Sequence, residues 1–264
     1  MIWILTTSDR EDFKLYMNII TEYVIAKFCD DFILSTVKGI NLVDSKVLPQ
    51  DVDARTEDDY IYISKSSVEN CLQLINLEEL ESYLLNDISK MNDKFTFLIG
   101  NLYHELCHAD AKVKMPILHS VIYDDESKNI HKVLTHYWIE FVVEYESHRV
   151  GIKTKDDLCI SFINAKWNIK YFKFNHNDDN DMFWLIFTSS YFIGLCYATG
   201  KIDYYIEQCL DDILKDMIRE LYDKSISLYE KMPFDDYTNI TELESLLDKY
   251  WKRFIMRSRN IKNQ

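Results

Sequence analysis

Apolar and polar positions alternate in a way that divides the chain into a short mixed beginning and a long helical remainder. "MIWIL" at the start predicts a strand. Ser8 and Glu11 then form an S-x-x-E capping box ahead of a helix with Phe13, Tyr16, Met17, Ile20, Val24 and Phe28 on one face. "FILSTV" (32–37) predicts a second strand, followed by a loop through Pro49. "YIYIS" (60–64) predicts a third, with Ile61 and Ile63 on one side and Tyr60, Tyr62 and Ser64 on the other. From about residue 78 onward nearly everything reads as helix, with breaks near Pro116, near Gly151, in "NHNDDND" (175–181) and at Pro233. Thr241 and Glu244 make a second capping box for the last helix.

Composition agrees with long regular elements. Apolar residues make up 47% of the 264, enough for a substantial core, and only five Gly and three Pro argue against a turn-rich β sandwich. A formal charge of −14 would repel a phosphate backbone, so no nucleic-acid partner is expected. The basic cluster near the end (Lys252, Arg253, Arg257, Arg259, Lys262) suits the last turns of a helix, whose dipole favours cations there.

The six cysteines are scattered and form no CxxC pair, which predicts reduced thiols and a cytoplasmic protein. The first residues lack the basic and apolar regions of a signal peptide. One run, "MFWLIFTSSYFIGLCYATG" (182–200), carries no charge and is a marginal candidate for a membrane span. Thr188, Ser189 and Ser190 fall in its middle, so a fully buried core helix is the expectation. "NHNDDND" lacks the glycine and downstream glutamate of a calcium loop and is expected to be a solvated turn.

Chemistry concentrates in "LYHELCHAD" (102–110). Over a predicted helix at 94–112, Phe95, Leu98, Ile99, Leu102, Leu106 and Ala109 form an apolar face. Residues four apart share one side of a helix, so His104 and His108 can offer imidazole nitrogens to one metal ion. Glu105, about 100° around from His104, stands beside that pair. This is H-E-x-x-H, two zinc ligands and a carboxylate able to take a proton from metal-activated water. A catalytic zinc needs a third protein ligand. The predicted helix 131–151 carries His136, Glu140, Glu144 and His148 at intervals of four, a polar stripe between Val133, Leu134, Trp138, Phe141, Val142 and Tyr145. Two carboxylates on so apolar a helix need a metal, a partner or solvent to compensate them.

H-E-x-x-H followed by a glutamate on the next helix resembles the gluzincin metallopeptidases. "EYESH" (144–148) is similar to the E-Y-x-A-D segment of the CAAX-processing and heat-shock membrane peptidases, and the ImmA/IrrE type of regulator peptidase is a looser likeness of more suitable size. The resemblance covers about 60–150. It implies His104, His108 and Glu144 as zinc ligands and Glu105 as catalytic base. His148 stands where that family has aspartate, and Asp110 where zincins usually have an apolar residue. His148 and Glu140 would support the ligands, while His136, Tyr145, His148 and Tyr197 are candidates to donate to an oxyanion. The resemblance also implies a strand over the cleft that pairs with extended substrate; "YIYIS" is the candidate.

The resulting expectation is a helix-dominated α+β fold: a zincin-like core with a small sheet at 1–151, and a helical region at 152–264 packed on it. The expected activity is zinc-dependent hydrolysis of a protein or peptide substrate. Two other classes fit parts of the sequence. A non-catalytic helical interaction protein would account for the C-terminal half. Glu105-x-x-His108 is also half of a di-iron carboxylate site, but the partner helix carries no second E-x-x-H. Cys107, between the two histidines, is expected to be a buried packing residue.

Overall fold

The computed structural model describes residues 3–6, 10–49, 53–86, 88–152, 179–209 and 212–262. It is a helix-dominated α+β protein of two compact units. The first comprises the described residues up to Lys114 together with 150–152, and the second comprises 115–149 with the described residues from 179 on. The units part at Lys114, and Pro116 opens the next helix.

The first unit holds a four-stranded sheet of β1 (Trp3–Thr6), β2 (Gly39–Val43), β3 (Ala54–Glu57) and β4 (Tyr60–Ser64), in the order β1-β2-β4-β3. β1 and β4 run parallel to β2, and β3 runs antiparallel to β4. The register pairs Ile40 with Ile61 and Leu42 with Ile63, and all four are fully buried on one face. Tyr60, Tyr62 and Asn41 occupy the other face and are half-buried. The tight turn between β3 and β4 places Asp58 at φ 55, a left-handed conformation that Asp tolerates better than bulkier residues.

Helices α1 (Glu11–Phe28), α2 (Lys65–Leu72), α3 (Leu77–Leu84) and α4 (Asp93–Lys114) complete this unit. α1 buries Phe13, Tyr16, Met17, Ile20 and Val24, as its spacing predicts. Its N-cap is Arg10, which makes no capping hydrogen bond and instead pairs with Asp12; Ser8 lies outside the described residues. α4 buries Phe95, Leu98, Ile99, Leu102 and Leu106 completely.

The segment 32–37 is a turn, not a strand. Phe32 stacks on Tyr103 of α4 at 5.6 Å, and the Ile33 N–H donates to Asp110 Oδ1 at 2.8 Å. Phe32 thus answers to α4, and the strand begins two residues later at Gly39.

The second unit is helical among its described residues: α5 (Pro116–Tyr123), α6 (Asn129–Arg149), α7 (Asp179–Thr199), α8 (Ile202–Ile206), α9 (Asp212–Tyr229) and α10 (Thr241–Lys262). α6 and α7 make its most extensive helix contact. Gly194 permits it: a Cβ there would lie 2.7 Å from Glu144 Cβ and 2.9 Å from the Phe141 carbonyl oxygen. α7 contains residues 182–199 of the uncharged run and buries Phe192, Ile193, Leu195 and Cys196 in this unit. Thr188, Ser189 and Ser190 are buried too, and Ser190 Oγ donates to the Phe187 carbonyl. No described helix is long and apolar enough to cross a membrane. Asp179–Asp181 of the Asx-rich run form the first turn of α7; 175–178 lie outside the described residues. At α10 the second capping box does not form. Asp236 caps the preceding single turn of 3-10 helix by accepting from the Thr238 N–H, and the Thr241 hydroxyl donates backward to the Thr238 carbonyl.

Candidate metal centre

His104, Glu105 and His108 lie in the interior turns of α4. The Nε2 atoms of His104 and His108 approach to 3.1 Å, with ring centroids 4.8 Å apart and planes at 76°. Two nitrogens bound at roughly 2.0–2.1 Å with a tetrahedral angle between them sit about 3.3 Å apart. The observed separation therefore suits two ligands of one small divalent cation. His104 and Glu105 are buried and His108 is half-buried, so the pair opens to one side and is desolvated on the other.

Several contacts fix this stretch of α4. Thr56 Oγ1 in β3 donates to the Glu105 backbone carbonyl at 3.1 Å. Lys112 Nζ reaches the Asp58 carbonyl at 2.6 Å and Asp59 Oδ1 at 3.2 Å, holding the β3–β4 turn. Lys38 and Lys112 together hold the Asp59 carboxyl below the usual carboxylate range. Asp110 accepts from the Ile33 N–H and pairs with Lys114 Nζ at 2.7 Å. A polar residue at that point of the helix thus anchors the turn after α1.

β4 differs from its expected place. It is an interior strand between β2 and β3, so it has no edge to offer an extended chain. The edge on the α4 side belongs to β3, which the sequence reading missed. "ARTE" is short, polar and only half-buried, and it has no apolar alternation to mark it. The acidic pair Asp58–Asp59 after it was the available turn signal.

The remaining predicted residues lie on α6, except Tyr197 on α7. Glu140, Glu144 and His148 are buried and His136 is half-buried, so most of the stripe is withdrawn from solvent. Glu144, 1% exposed, has its Oε2 3.1 Å from His148 Nε2 and its Cβ against Gly194 of α7. His148, in the position of the family's aspartate, thus contacts a carboxylate of its own helix. Tyr145 stacks on Tyr197 at 4.5 Å within a cluster that includes Phe141 and Tyr229.

Cys29, Cys71, Cys107, Cys196 and Cys209 are buried, Cys29 and Cys71 as free thiols, and Cys159 lies outside the described residues. Burial pushes the Cys29 and Cys71 thiols up to about 12, far from a thiolate at neutral pH. No family model, no curated protein and no solved structure matches the chain.

Proposed function

We propose that the protein is a zinc-dependent peptide hydrolase whose ion is held by His104 and His108. The observation that carries this reading is the 3.1 Å approach of the two Nε2 atoms on a largely buried helix, with Glu105 next to the first. The pattern H-E-x-x-H supports the same assignment.

A bound zinc ion would polarise both a water molecule and the scissile carbonyl. Glu105 would accept the proton of that water and deliver it to the leaving amine. β3 would receive the substrate. It is an edge strand, and Thr56 ties it to α4 at the carbonyl of Glu105, so an extended peptide added to this edge would lie along the helix that carries the base.

The third ligand in this reading is a carboxylate of α6. The gluzincin resemblance assigns Glu144. The contact of Glu144 with His148, and its packing against Gly194, favour Glu140 as a second assignment.

The test is Glu105→Gln. An amide cannot accept the proton, so this variant should keep its zinc and lose cleavage of a mixed pool of unstructured peptides. Cleavage at the wild-type rate would remove Glu105 as the base. A wild-type protein that carries zinc and cleaves nothing in the pool would reduce the reading to a metal-binding interaction protein.

A further inference from the structure

Thr135 and Trp138 of α6 are both fully buried, at 0% exposure. Thr135 Oγ1 and Trp138 Nε1 are each sealed from solvent without a hydrogen-bond partner among the described residues. Burying such a group unsatisfied is costly, and native proteins seldom leave one. Here two occur three residues apart, on neighbouring positions of one helix surface. A long helical side chain leans toward the N-terminus, so the Trp138 indole leans over the turn that carries Thr135. On its other sides the indole meets Phe141 at 5.3 Å and stacks on Phe234 at 5.3 Å, which offer no acceptor.

We infer that Thr135 and Trp138 form a binding site for one internal water molecule in the second unit. The chemistry selects the ligand. An indole N–H only donates, and a threonine hydroxyl can donate and accept, so the bridging molecule must accept one bond and be able to give another. Water meets both needs, and a buried water requires at least two polar partners. This inference is independent of the metal assignment.

Thr21 of α1 provides the comparison. It too is buried with an orphaned hydroxyl among the described residues, but its buried neighbours one turn away, Met17 and Val24, carry no hydrogen-bonding group of comparable strength, and Asn18, the polar residue one turn back, is exposed. Valine has nearly the shape of threonine and removes only the hydroxyl. Where the hydroxyl has no partner, that change relieves a desolvation penalty; where it holds a water, the change leaves the other partner unsatisfied. Thr21→Val should therefore keep or raise the melting temperature, whereas Thr135→Val should lower it by about 2–4 °C. Trp138→Phe removes the other partner, and the double variant should be less destabilised than the sum of the two singles, because both changes release one molecule. In the full-length wild-type protein the Trp138 indole N–H should show a cross-peak to a long-lived water, lost in Thr135→Val. A rise in melting temperature for Thr135→Val matching that of Thr21→Val, or additive singles with no water cross-peak, would overturn the inference.

Discussion

The hydroxyl of Thr56 donates to the backbone carbonyl of Glu105 at 3.1 Å, joining the edge strand of the sheet to the middle of α4. The bond falls at the residue between the two candidate ligands, so it sets how β3 lies along the helix. Thr56→Val should weaken this attachment, costing about 0.5–1.5 kcal/mol, the usual net worth of one hydrogen bond. Hydrogen exchange should quicken in β3 and the Asp58–Asp59 turn more than in β2. Thr56→Ser should restore most of the protection. Equal protection in the wild type and the valine variant would mean that Lys112 alone fixes the hairpin.

Gly194 marks a close approach of α6 and α7. A Cβ there would meet backbone at 2.9 Å, and backbone cannot swing aside as a flexible side chain would. Gly194→Ala gains helix propensity but should still destabilise the protein, by about 1–3 kcal/mol, the usual cost of overpacking. A denaturant midpoint at or above that of the wild type would contradict the packing described for this unit.

Asp59 predicts a pH dependence. Hydrogen bonds from Lys38 and Lys112 lower its pKa in the folded state. A depressed carboxyl stabilises the fold above its unfolded pKa, and that contribution fades as pH falls through the folded value. Asp59→Asn should therefore be less stable than the wild type at neutral pH, with a gap that closes on acidification below the ordinary carboxylate range. Raised salt should narrow the same gap, since the group is partly exposed. A gap constant from neutral pH down through acid would remove the ionic role.

Much of the helical half of this fold was legible because its helices bury one coherent face. The α4 boundaries 94–112 fall inside the observed Asp93–Lys114, and Phe192, Ile193, Leu195 and Cys196 of the uncharged run are buried in their unit. "YIYIS" was legible for the same reason: Ile61 and Ile63 are buried and Tyr60 and Tyr62 half-buried, while Ser64, expected on the tyrosine side, is buried as well. Where the pattern misled, the apolar residues served a distant partner. Phe32 is apolar because it stacks on Tyr103, a contact across 71 positions that no local period encodes. β3 stayed hidden because an edge strand with polar residues has no face to announce. The placing of His104 and His108 on one side of α4 was legible from their spacing of four. Asp110 was not, since its role is to hold the backbone of Ile33.

The two α6 carboxylates also follow from periodicity, but periodicity cannot rank them. Glu140 and Glu144 differ by about 40° around the helix and roughly 6 Å along it, so in the proposed reading only one of them would be a direct ligand. Removing a direct ligand should cost much more affinity than removing an outer partner, which costs about 10–100-fold. Under mild chelation, zinc retention by Glu140→Ala and Glu144→Ala should therefore differ clearly. Loss confined to Glu144→Ala would support the gluzincin match. Loss confined to Glu140→Ala would make the Glu144–His148 pair a supporting contact. Equal, full retention by both would exclude a carboxylate of this stripe as ligand.

The central claim is that His104 and His108 hold a zinc ion, and metal analysis of the purified full-length chain tests it most directly. Wild-type protein loaded with zinc and dialysed against metal-free buffer should retain about one equivalent, and His104→Ala/His108→Ala none, with both proteins equally helical by circular dichroism. Full zinc occupancy in that folded double variant would contradict the account.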